Sequence, residues 1–148
     1  MFPKEHIILG LMFSLVVKFI FPQIEWFYII LIFVASFMID FDHYAMYVKK
    51  TGNFSPVESV RYYYKRIAEA KRRGEVGAKA KKSFFFLFHT LEFHILILLM
   101  SYFWIGFLYI FIGMVFHSFL DIVKMSYKKE LHTRWLFLIE WILDKNKV

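Results

Sequence analysis

Met114-Val115-Phe116-His117-Ser118-Phe119-Leu120-Asp121 sets two ionisable residues four apart inside an apolar run. On a helix, positions i and i+4 share a face about one turn apart. An ionisable group at membrane depth is costly, so it faces a protein interior, a partner charge or a metal. Three further stretches repeat the anomaly: His6 near the start, Ile39-Asp40-Phe41-Asp42-His43, and Phe88-His89-Thr90-Leu91-Glu92-Phe93-His94. The four stretches are expected to meet.

Composition says what surrounds them. The 148 residues suit one domain. They are 59% hydrophobic, include 20 Phe and have a mean hydropathy of +0.51, a membrane composition rather than a soluble one. A net charge of +7 suits nucleic acid or anionic lipid. The apolar runs decide for lipid, and no nucleic-acid partner is expected. Cysteine is absent, which excludes disulfides and thiolate metal sites, so any metal must use His and carboxylate. Only Lys4 precedes the first apolar run and no small-residue cleavage site follows it. A retained membrane helix is therefore expected, not a cleaved signal.

Taken in order, the apolar runs predict an all-α polytopic membrane protein of one embedded domain, 1–148. Four transmembrane helices are expected over about 5–21, 24–41, 83–103 and 105–123, each near the roughly 20 residues that a span needs. Gly106 and Gly113 would let the fourth approach its neighbours closely. Between the second and third spans, residues 44–82 form a basic helical loop. Ser55-Pro56-Val57-Glu58 reads as a capping box with proline at the first helical position, and Gly74 as the stop. The helix between them has an apolar stripe and cationic sides, the pattern of an interfacial helix. A second interfacial helix is expected over 128–145, on the stripe Leu131, Trp135, Leu138 and Ile142. All 19 Lys and Arg except Lys18 fall on the N-terminus, the 44–82 segment or the tail. The positive-inside rule then makes both termini cytoplasmic in an integral inner (cytoplasmic) membrane protein, and Lys18 can snorkel.

This topology brings His6, Asp40, Asp42, His43, His89, His117 and Asp121 into one leaflet, within roughly 10 Å along the membrane normal. By helical phase Asp40 and His43 share a face, as do His89 and Glu92, whereas Asp42 points elsewhere if its helix continues. His94 lies about 140° from His89 on a regular helix, so it serves a second subsite or is no ligand. Alone, His117 and Asp121 would be a hydrogen-bonded pair joining two helices, and His6 or His132 an ordinary interfacial residue. Together, four spans contributing at one depth point to a metal site.

At these residues the chain resembles the predicted membrane-bound metal-dependent hydrolases (YdjM-like). That family has an N-terminal His before an apolar span, then D-x-D-H, H-x4-H and H-x3-D. Here these are His6, Asp40-Phe41-Asp42-His43, His89 to His94, and His117 to Asp121. Where the family usually has H-R-G-x-T-H, this chain has His89-Thr90-Leu91-Glu92-Phe93-His94. The family is distantly similar in its motifs to zinc-dependent phospholipase C and S1/P1 nucleases. The resemblance implies a metal-dependent hydrolase, phosphoesterase-like, with His6, Asp40, His43, His89, His94, His117 and Asp121 as ligands. His and carboxylate donors suit two or three zinc ions, with manganese or iron as alternatives. Asp40 is the candidate bridge, and Asp42 or Glu92 the candidate general base. The basic helix, through Arg66, Arg72 and Arg73, could hold an anionic lipid headgroup or a lipid-linked phosphate. The rival expectations are a non-catalytic metal-binding membrane protein, such as a sensor or transporter component, and a structural membrane adaptor.

Overall fold

The computed structural model describes residues 3–145, and among them all regular structure is helical. Helix α1 spans Pro3–Ile20 and α2 spans Trp26–Met38, antiparallel across a tight turn. Lys18 Nζ donates to the carbonyls of Pro22 (2.7 Å) and Ile24 (2.6 Å), so it closes that turn. After a bend at Ile39–Asp40, α3 continues over Phe41–Thr51 and stops at Gly52, which takes the left-handed conformation (φ 69°) that glycine alone adopts freely.

Helix α4 covers Pro56–Arg72. The Ser55 hydroxyl accepts from the Glu58 N–H (3.3 Å), while the Ser55 N–H is taken by Asn53 Oδ1 (2.8 Å) and not by Glu58. The chain then runs irregularly to a short 3-10 turn, Leu87–His89. Helix α5 is Leu91–Met100, with Thr90 Oγ1 as its cap, and α6 is Gly106–Tyr127. A 3-10 turn, Leu131–Thr133, leads to α7, Leu138–Lys145.

Helix α2 is the centre of the bundle, packed against α1 on one side and α6 on the other, while α5 packs on α6. Gly113 permits the α2–α6 contact: a Cβ there would strike the Ile32 carbonyl and come within 2.9 Å of Ala35 Cβ. Gly106 plays no such part, since its neighbour is the Trp104 ring of its own loop. The core is small, with Ala35, Ile39, Ile97 and Met114 at its heart. Much of the apolar side-chain surface faces outward, including Ile8, Met12, Val16 and Phe19 along α1. Exposed apolar area on this scale marks a surface that water does not normally cover.

Two of the expected spans change. Among the described residues two helical segments, Trp26–Thr51 taken through its bend and Gly106–Tyr127, are long and apolar enough to cross a membrane, not four. Helix α1 has 18 residues but carries Lys4, Glu5 and Lys18. Helix α5 has 10, about 15 Å of rise, because the chain before it is extended or 3-10. The expected tail helix over 128–145 is helical only in α7. Residues 134–137 are not helical and are tied to other segments: Trp135 Nε1 donates to the Ser83 carbonyl (3.0 Å) and the Leu91 N–H to the Leu136 carbonyl (2.9 Å). The chain ends assigned to the cytoplasm, residues 1–2 and 146–148, lie outside the described residues.

Candidate metal centre

Helix α6 carries His117 and Asp121 one turn apart, both buried. The His117 Nδ1 is 2.8 Å from the Ser36 carbonyl, which can only accept. Nδ1 therefore bears the proton, and Nε2 turns its lone pair inward. His89 is arranged in the same way. Its Nδ1 lies 3.1 Å from Asp42 Oδ2, a carboxylate oxygen that also takes the Phe88 N–H at 3.1 Å. Carboxylate or carbonyl on one imidazole nitrogen, with the other left free, is the usual support of a metal-binding histidine.

The two free nitrogens face each other at 3.3 Å. Two lone pairs do not hold that distance without a proton or cation between them. Asp40 Oδ1 completes the cage, 3.5 Å from His117 Nε2, 3.6 Å from His89 Nε2 and 3.5 Å from His43 Nε2. Ligands held tetrahedrally about 2.05 Å from a zinc ion would be about 3.4 Å apart. The four distances just given are close to that figure.

His6, at the start of α1, stacks on His117 with ring centroids 3.8 Å apart. It is fully buried, yet neither ring nitrogen makes a hydrogen bond. Its Nε2 is 3.2 Å from Asp121 Oδ1 and 4.0 Å from Asp40 Oδ2. An imidazole buried this close to two carboxylates is satisfied by a proton held toward Asp121 or by a bound cation. The residues present thus fit a metal. Three overlapping triads have all their ligand atoms within 4.8 Å of one another: His6, Asp40 and His117; Asp40, His43 and His89; His89, His117 and Asp121. Asp40 Oδ1 faces His43, His89 and His117, and its Oδ2 lies toward His6.

Charge gives the same answer. Asp40, Asp42 and Asp121 bring three carboxylates, and Arg134, 8% exposed, brings one guanidinium, with Nη1 3.2 Å from Asp121 Oδ2. A divalent cation or a protonated histidine at the cluster would add to that positive charge. Nearby, the Tyr63 hydroxyl donates to the His43 carbonyl (2.9 Å). Burial pushes its phenol up to about 12, which keeps it a neutral donor.

Some sequence-predicted residues stand elsewhere. His94 does not reach the cluster: its Nδ1 donates to the Thr90 carbonyl (2.8 Å) and its Nε2 is 3.0 Å from the Ser118 hydroxyl. Glu92 shares no face with His89, because the chain breaks at Thr90. Its Oε1 accepts the N–H groups of Leu138 (2.9 Å) and Ile139 (3.5 Å) at the start of α7. Asp42 does not point away, because the bend at Asp40 turns it onto His89, where it holds the imidazole through Nδ1. His132, on the tail, lies 2.9 Å from the Ala80 carbonyl. No periodicity or spacing in the sequence links Arg134 to α6, and only the fold sets it beside Asp121.

Three cavities open on the cluster, and His43 lines all of them. One, about 430 Å³, is apolar, walled by Phe37, Phe41, Val60, Tyr64 and Ile67. The second, about 660 Å³, is basic, with Arg66, Lys71, Arg73, Lys81 and Lys82 on its wall. In it Arg66 lies over the Phe84 ring and Arg73 pairs with Glu75, while Arg72 is exposed and outside it. The third, about 180 Å³, lies between His43, His89, Asp121 and Arg134. Compared with known protein families, curated proteins and solved structures, the chain matches none.

Proposed function

We propose that this chain is a membrane-bound metal-dependent hydrolase, acting on the phosphoester of a lipid or lipid-linked substrate at the cytoplasmic face. What carries the reading is the convergence of His6, Asp40, His43, His89, His117 and Asp121, with imidazole lone pairs turned toward one another at ligand spacing. Zinc suits these donors best, as two or three ions, with manganese or iron as alternatives. Asp40 would bridge, and Asp42 would hold His89 in its binding tautomer. A divalent metal bound there supplies Lewis acidity toward a phosphoryl oxygen and an acidified water.

Catalysis is favoured over storage by one asymmetry. His6 and His117 are sealed, whereas the His43 side chain is 34% exposed and lines all three cavities. Structural metal sites are closed, and catalytic ones keep a side open. The apolar cavity suits an acyl or prenyl chain, and the basic cavity suits an anionic headgroup. In the membrane the α2–α3 segment and α6 would cross, with α1 alongside. Residues 83–103 would pass from the side of the metal centre to the side of the α1–α2 turn, where Trp104 meets Phe27 and Tyr109 stacks on Tyr28, their irregular backbone covered by protein. That arrangement keeps the basic 44–82 segment and both ends on the cytoplasmic side.

The test is elemental analysis of the detergent-purified protein, followed by a phosphoester panel with and without chelator. Bound divalent metal with chelator-sensitive hydrolysis is the expected result. Metal without hydrolysis would indicate a sensor or transporter component, and no metal a structural adaptor.

A further inference from the structure

The tail segment that the sequence suggests is an interfacial helix instead crosses the mouth of the metal centre. The Thr133 carbonyl accepts from both the N–H (2.8 Å) and the hydroxyl (2.9 Å) of Ser83, and Trp135 Nε1 donates to the Ser83 carbonyl. Between these anchors Arg134 is driven inward. Its Nη1 meets Asp121 Oδ2 at 3.2 Å and Met125 Sδ at 3.9 Å, while its Nη2 is buried with no hydrogen-bond partner. An orphaned, charged N–H group costs stability that a merely structural ion pair would not need to spend. A lysine could neutralise Asp121 equally well.

A guanidinium offers a flat fork of donors suited to oxyanions. Here one arm is engaged and the other makes no hydrogen bond, and the side chain lines the 180 Å³ cavity shared with His43, His89 and Asp121, several times the volume one water needs. The large basic cavity shares Ser83, Phe84 and Phe86 with it, so an anion would approach past Lys81 and Lys82. We infer that Arg134 is the phosphoryl-binding residue of this site, its free arm taking one oxygen of a phosphate group held against the cluster. This deepens the hydrolase reading and rests on it for the source of the phosphate.

The experiment uses zinc-loaded full-length protein in nanodiscs, with inorganic phosphate as the probe in calorimetric titration and zinc content measured in parallel. Arg134→Gln and Arg134→Lys are compared with the unaltered protein. Both are expected to keep their zinc, with phosphate binding weakened at least tenfold in the glutamine variant and by a smaller factor in the lysine variant, which keeps charge but loses the fork. Phosphate affinity within twofold of the unaltered protein in both variants would overturn the inference. So would zinc loss in both, since Arg134 would then serve Asp121 alone, and so would an unaltered protein that binds no phosphate at millimolar concentration. Titrating chelator-treated protein separates the two ideas. Arg134-dependent phosphate binding that survives without metal would uphold the inference even if the unaltered protein never loads zinc and the hydrolase reading falls. A dihexanoyl phosphatidate arm identifies the source. Arg134-dependent binding tighter than that of inorganic phosphate supports a lipid headgroup, and equal binding supports free phosphate.

Discussion

Asp40→Asn is the sharpest single perturbation of the proposed centre. The carboxylate has Oδ1 within 3.5–3.6 Å of three imidazole nitrogens and Oδ2 4.0 Å from a fourth, so it belongs to two of the three triads. The amide keeps the shape and removes the charge. It also turns one acceptor into a donor, which would satisfy an imidazole lone pair meant for metal. A supporting residue such as Asp42 costs roughly 10- to 100-fold in metal affinity when lost. Asp40→Asn, as a direct and bridging ligand, should exceed that, which is more than about 2.8 kcal/mol at about 1.4 kcal/mol per decade. Competition against a chromogenic zinc chelator in detergent gives the affinities. The expected order of loss is Asp40→Asn, then Asp42→Asn within the 10- to 100-fold band, then Glu92→Gln with no change. An Asp40→Asn protein binding zinc within tenfold of the unaltered chain, or a Glu92→Gln loss as large as that of Asp42→Asn, would sink the assignment.

Three other outcomes follow from the packing. Gly113→Ala should lower stability by roughly 1–3 kcal/mol, since the added methyl meets the Ile32 backbone; a thermal melt in detergent reads it, and an unchanged melting temperature would mean α2 and α6 are less tightly apposed. Glu92→Ala should leave zinc bound but free the start of α7, at about 1 kcal/mol for a lost helix cap, seen as faster proteolysis around residues 138–145. Charge reversal at Arg66 and Arg72 should weaken association with anionic lipid by about 1 kcal/mol each with zinc unchanged, measured by quenching from labelled lipid in mixed nanodiscs; zinc loss there would make α4 part of the centre.

The sequence carried the helical class and the convergence of His6, Asp40, His43, His89, His117 and Asp121, because apolar periodicity punctuated by ionisable residues survives without a structure. It did not carry the places where helices stop. A regular helix through 83–103 puts Glu92 with His89, but the break at Thr90 separates them, and nothing in that apolar stretch announces it beyond a threonine that caps. A regular helix through Asp40 sends Asp42 away, but the bend at Ile39–Asp40 brings it to His89. The same stretch was long and apolar enough to read as a span, yet α5 is only 10 residues. Hydropathy measures the medium a segment prefers and not whether its backbone is coiled.

Arg134 and Glu92 show why the tail was the hardest part to read. Leu131, Trp135, Leu138 and Ile142 have helical spacing, and a free peptide with that stripe would lie on a membrane surface. In the folded chain the same residues compete for other partners. Trp135 is only 8% exposed, its ring under Lys82 and its N–H on Ser83. Glu92, inside an apolar stretch, takes the first N–H groups of α7. With Thr133 and Trp135 both held on Ser83, the segment does not coil, and Arg134 between them turns inward. Coiling that strap into an interfacial helix would withdraw the guanidinium from Asp121, beside the carboxylate cluster. The strap's conformation and the charge balance of the proposed metal centre are therefore one constraint.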